Sequence, residues 1–144
     1  MIYITKDDYN LILSHAENNL PEEACGLLGG VVDGDDKYVK KVYLLENTDH
    51  SNEHFTMSPQ AQFQSIKDMR QNGYVLLGNW HSHPESPSRP SEEDKRLAMD
   101  TKIRYLILSL MDNDNPVLNA FIIDKDKNVS KEEINVFKRK DFFR

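Results

Sequence analysis

The stretch YVLLGNWHSHPESPSRPSEED, residues 74–94, decides how the rest of the chain is read. It begins apolar, turns polar towards its end, and closes on His81-Ser82-His83-Pro84, after which a proline-rich loop breaks it. Side chains two apart on a strand point to the same face, so His81 and His83 can present two imidazoles to one ion. Asp94 lies eleven positions after His83, beyond a loop stiffened by Pro84, Pro87 and Pro90, on the first turn of a short helix begun by Ser91. A strand end, a rigid loop and a helix N-terminus can converge on one point. Two nitrogens and a carboxylate leave a fourth tetrahedral position open, the pattern of catalytic rather than structural zinc. Zinc in such a site lowers the pKa of bound water to about 7 and polarises a carbonyl oxygen.

Duller explanations exist for each residue. A histidine near a strand end is commonly a hydrogen-bonded surface or core residue. Ser91-x-x-Asp94 also reads as a helix capping box, with Asp in place of the usual Glu or Gln. The two readings of Ser91 are compatible, because a capping serine can still face a metal. Trp80, between Asn79 and His81, falls on the opposite face from both histidines and is expected to pack in the core.

Outward from this stretch, the elements alternate. Residues 6–20 place Tyr9, Ile12, Leu13, Ala16 and Leu20 at helical spacing until Pro21. ACGLLGGVV, from Ala24, reads as a buried strand, VDGDDK as a hairpin turn, and YVKKVYLLEN as the returning strand. Ser58-Pro59 opens a second helix, with Ser as N-cap and Pro at the first position, and Gly73 closes it. Downstream, SEEDKRLAMD predicts a short third helix, IRYLILSL a buried strand, and LNAFIID another after the DNDNP turn. Residues 129–137 are expected to add an edge strand. The order α-β-β-α-β-α-β-β-β predicts an α/β fold, a mixed sheet flanked by helices.

The chain has 144 residues, the size of one domain, and one cysteine, Cys25, so it can form no internal disulfide. Cys25 sits in an apolar strand signal and is expected to be a buried, inert thiol. With no signal-peptide pattern at the start and no membrane-spanning apolar run, the protein is expected to be soluble and cytoplasmic. The net charge of -6 and the lack of a dominant basic patch argue against nucleic acid as a partner. VFKRKDFFR, at the end, is locally basic and is expected to be a last strand running into a solvated tail.

The run HSHPESPSRPSEED, together with PEEACGLLGG upstream, resembles the JAMM (MPN-plus, Mov34/PAD-1) zinc metalloproteases. Their pattern, a glutamate followed far downstream by His-x-His-Pro-x6-Ser-x2-Asp, is met without a gap, and the resemblance covers roughly residues 2–125. It implies a single JAB1/MPN-like (cytidine deaminase-like) domain over 1–144. It also implies one Zn2+ held by His81, His83 and Asp94. Glu23, chosen over Glu22 because Ala24-Cys25-Gly26-Leu27 follows it, is implied as the general base that takes a proton from the attacking water. Ser91 is implied to stabilise the oxyanion. Nothing in the spacing alone identifies Glu23. His50 and His54 are weighed as a second metal pair or as lining of the cleft, and a polar loop without a ligand role is preferred. Asn47 matches an asparagine common in the family and receives no chemical role.

The implied activity is a zinc-dependent metallopeptidase or isopeptidase. Ser58 follows Asn47 by only eleven positions and the loop after His83 is short. The favoured substrate is therefore a small ubiquitin-like or sulfur-carrier protein cut after its C-terminal glycines. The alternatives are a non-catalytic scaffold of the same fold and a cell-wall peptide hydrolase. A nucleoside deaminase needs a Cys-x-x-Cys pair that one cysteine cannot supply. The oligomeric state is left open.

Overall fold

A computed structural model describes residues 1–138. Their elements are β1 (Ile2–Thr5), α1 (Lys6–Asn19), β2 (Cys25–Asp33), β3 (Asp36–Leu45), α2 (Pro59–Gln71), β4 (Val75–His83), α3 (Glu92–Leu97), β5 (Arg104–Ser109), β6 (Val117–Ile123), β7 (Val129–Glu132) and β8 (Ile134–Phe137). The three expected helices and the central strands are present. Thr5 Oγ1 caps α1 by accepting from the Asp8 amide at 3.1 Å, and Ser58 Oγ caps α2 by accepting from the Ala61 amide at 3.1 Å. Gly73 adopts φ +74° just past α2, a conformation that costs glycine nothing.

All eight strands form one mixed sheet, in the order β7-β6-β5-β4-β2-β3-β1-β8. β4 therefore lies in the interior, antiparallel to β2 and parallel to β5. α1 covers one face, over a core that includes Ile12, Ala16, Leu28, Trp80 and Leu106. On the other face, Met57 and Met69 pack with Cys25, Leu27 and Tyr43, and Ala98 packs with Tyr105 and Ile107. Trp80 is fully buried, as alternation along β4 requires, and its Nε1–H donates to the Tyr43 carbonyl at 3.3 Å. Gly26 pairs with Trp80 across β2 and β4, and a Cβ there would lie 2.4 Å from Trp80 Nε1.

Two elements differ from the sequence reading. β1 precedes α1 and was not expected; four residues of weak alternation, IYIT, carry too little periodicity to announce a strand. Residues 129–137 are not one edge strand. They split at Glu133, so that β7 pairs with β6 at one edge while β8 pairs with β1 at the other. A single residue joins the two edges, which requires the sheet to curl until they meet. Sheet twist permits this, and closure leaves fewer edge groups unpaired. The expected basic tail begins in exposed Lys138, and the rest of it, 139–144, lies outside the described residues. No helix among the described residues is long and apolar enough to cross a membrane.

Candidate metal centre and cleft

β4 carries His81 and His83 to the end of the sheet on one face, as period-two alternation predicts. Their Nε2 atoms are 3.0 Å apart, and Asp94 Oδ2 lies 3.2 Å from each. A zinc ion with Zn–N near 2.0–2.1 Å in tetrahedral geometry separates its ligands by about 3.3 Å, so this donor set has the spacing of one tetrahedral metal site. The two histidines are 3% and 4% exposed. Among the described residues they and Asp94 are the one cluster of three or more side chains spaced to hold a metal ion.

The neighbours of these side chains set their orientation. His83 Nδ1–H donates to the Pro87 carbonyl at 2.8 Å, which leaves the lone pair of the neutral ring on Nε2. The proline-rich loop is itself pinned to β5. Ser88 Oγ donates to the Ile107 carbonyl and Ser109 Oγ to the Ser86 carbonyl, both at 2.6 Å. Phe55 stacks on His81 with ring centroids 4.6 Å apart.

Ser91 and Asp94 form the expected capping box and face the histidines as well. Ser91 Oγ accepts from the Asp94 amide at 3.0 Å, and the Ser91 amide donates to Asp94 Oδ2 at 2.9 Å. Capping and contact with both histidines therefore coexist at the same carboxylate oxygen. Burial works to raise the pKa of Asp94, but hydrogen bonds from His81 and His83 outweigh it and hold the group well below the usual carboxylate range. Burial lowers the pKa of His81, favouring the neutral ring a metal needs. It also pulls His83 down, yet the Asp94 and Pro87 hydrogen bonds raise that ring on balance.

Glu23 reaches the same place through strand register. Cys25 pairs with His81 in the antiparallel ladder between β2 and β4, which sets Glu23 opposite His83. Ser82 fastens this end of the ladder: its amide donates to the Ala24 carbonyl at 2.9 Å, and its Oγ accepts from the Ala24 amide at 2.8 Å. Glu23 is only 5% exposed and shares with His83, Ser91, Glu53 and Glu85 a cleft of about 340 Å³. Burial pushes its pKa up to about 8. Glu22, its neighbour, is half-buried and accepts from His50 at 3.1 Å.

The remaining candidates fall outside the cluster. His54 pairs with Glu93, so neither His50 nor His54 joins a second metal group among the described residues. Cys25 is buried, and desolvation pushes its thiol up to about 12, as expected of an inert core cysteine.

Asn47 does more than its sequence context suggested. It is 3% exposed, and its Nδ2 donates to the carbonyls of Glu23 and His54, both at 2.9 Å. Its Oδ1 accepts from the amides of Asp49 at 3.0 Å and Thr56 at 3.2 Å. One side chain thus folds the 46–58 loop over the site and ties it to Glu23. No sequence spacing signals this, because every partner is a backbone group.

With the geometry in place, comparison with known proteins is decisive. Residues 5–123 match the model of the prokaryotic homologues of the JAB domain. The chain belongs to that family. The JAB-type mixed sheet flanked by helices is the architecture described above. A protein of Desulfitobacterium hafniense, known from a solution structure, is 53% identical, with a TM-score of 0.90 over 96% of this chain and 94% of that one. The CysO-cysteine peptidase of Mycobacterium tuberculosis is 27% identical over 94% of this chain and 91% of its own length. A desampylase of Haloferax volcanii is 30% identical over 74% of this chain and 78% of its own.

Proposed function

We propose that this JAB-family protein is a zinc-dependent peptidase or isopeptidase acting as one catalytic domain. Its substrate is a small ubiquitin-like or sulfur-carrier protein, cut at an amide bond after the C-terminal glycines. The observation that carries the reading is the convergence of His81 Nε2, His83 Nε2 and Asp94 Oδ2 beside buried Glu23. The substrate class is favoured by relatives named for a CysO-cysteine peptidase and a desampylase, and by the short connections around the cleft. Such chemistry fits a cytoplasmic protein with one buried thiol.

In this reading His81, His83 and Asp94 hold one Zn2+. When bound, zinc would polarise the scissile carbonyl and make water more acidic. Glu23, as the ionised carboxylate, takes a proton from the attacking water and delivers it to the departing amine. Amide and water thus leave as carboxylate and amine. Ser91 Oγ accepts from the Asp94 amide, so its own proton remains available to the developing oxyanion.

The test is mass spectrometry of a small β-grasp protein extended beyond its Gly-Gly terminus, incubated with the zinc-loaded chain. Cleavage after the second glycine is expected. Glu23→Gln should keep zinc and cut at least about 100-fold more slowly, the usual scale for removing a general base. Near-wild-type turnover by that variant would reject Glu23 as the general base, and no cleavage by the wild type would return the chain to a binding role.

A further inference from the structure

Asn79 and His81 share one face of β4, two residues apart. Asn79 Oδ1 and His81 Nδ1 are the two buried side-chain polar atoms among the described residues that no protein group hydrogen-bonds. Buried polar atoms are paired in the great majority of cases, so two orphans on one strand face need an account. Both side chains line the same cavity of about 60 Å³, whose other walls are Phe55, Asp94, Leu97, Ala98 and Tyr105. A water occupies about 30 Å³ in the liquid, so the cavity has room for one or two. Residues two apart on a strand stand about 6.6 Å apart at the backbone, a span that one bridging water closes with two ordinary hydrogen bonds. The polarities also match under the zinc reading: with His81 Nε2 given to the metal, the neutral ring would carry its proton on Nδ1 and need an acceptor, while Asn79 Oδ1 needs a donor.

We propose that Asn79 is a positioning residue for the metal centre, acting through a buried water that accepts from His81 Nδ1–H and donates to Asn79 Oδ1. His83 receives the equivalent support directly from the Pro87 carbonyl at 2.8 Å. Phe55 covers one ring face of His81, so the cavity is the route by which its Nδ1 edge finds a partner. The apolar side chains Phe55, Leu97 and Ala98 in the walls shield the bridge and strengthen it. This inference rests on the zinc reading of His81 but adds a residue outside the ligand set.

Two measurements test it. A high-resolution crystal structure of the wild-type chain is expected to place an ordered water within hydrogen-bond distance of both atoms. Chelator competition on the metal-free proteins is expected to find zinc bound at least tenfold more weakly by Asn79→Leu, the scale of losing outer support for a ligand. Asn79→Asp, which keeps the acceptor, should stay within about threefold of wild type. Circular dichroism and thermal melts of the metal-free variants establish that each is folded. A dry cavity, or an Asn79→Leu protein that binds zinc as the wild type does, overturns the proposal. A wild type that binds no zinc overturns the catalytic reading instead, and the water alone then decides whether Asn79 supports His81.

Discussion

Replacing Asn47 by alanine removes four hydrogen bonds of 2.9–3.2 Å from a side chain that is 3% exposed. The four partners do not lose equally. The Glu23 carbonyl is buried and would stay unpaired, at about 1–3 kcal/mol. The groups on His54, Asp49 and Thr56 lie in an exposed loop where water can replace the lost partner, so each costs nearer 0.5 kcal/mol. Together Asn47→Ala should destabilise by about 2.5–4.5 kcal/mol. Asn47→Asp sharpens the expectation. It is nearly isosteric and keeps the acceptor, but turns a two-hydrogen donor into a carboxylate oxygen facing two carbonyls. It should be at least as damaging as alanine. Urea unfolding of the metal-free proteins, followed by fluorescence of Trp80, measures both against wild type. A loss below about 0.5 kcal/mol for Asn47→Ala, the level of an ordinary surface change, would contradict the role of Asn47 as the knot of this loop. So would an Asn47→Asp protein as stable as wild type.

Two further outcomes follow from the site and its supporting strands. The buried Glu23 carboxyl holds its proton up to about 8 when folded but releases it near 4.5 when unfolded, so the metal-free protein should lose stability as pH rises through that window. Glu23→Gln has no proton to release, and its advantage over wild type should grow between pH 5 and pH 8 by up to about 1.4 kcal/mol per unit; a constant difference would contradict the raised pKa. At Gly26 a Cβ would fall 1.8 Å from the Tyr43 carbonyl oxygen and 2.4 Å from Trp80 Nε1, so Gly26→Ala should cost about 3 kcal/mol or more in urea unfolding, and a neutral effect would mean that β2 and β3 can separate there without penalty.

Legibility in the sequence followed the range of the interactions. His81 and His83 were readable because period-two alternation is local, and the caps at Ser58 and Ser91 because they span three residues. Trp80 was assigned to the core by the same alternation. Glu23 was not, since its place beside His83 depends on β2 pairing with β4 in one register out of many, and only the family resemblance supplied it. Asn47 and Asn79 stayed silent because their partners are backbone groups or a cavity, neither of which leaves a motif. The split of residues 129–137 is also non-local: β7 and β8 look continuous along the chain, and only the curled sheet makes them opposite edges. Capping and approach to the two histidines at Asp94 are compatible, because the Ser91 amide and both imidazoles meet the same carboxylate oxygen.

The most direct test of the central claim is zinc stoichiometry of the protein purified without chelators. Elemental analysis combined with chelator competition is expected to give one zinc per chain with submicromolar affinity, lost in His83→Ala while that variant remains folded. A wild type that neither carries nor binds zinc, or a His83→Ala protein that retains it at full occupancy, would contradict the assignment of His81, His83 and Asp94 as the metal centre.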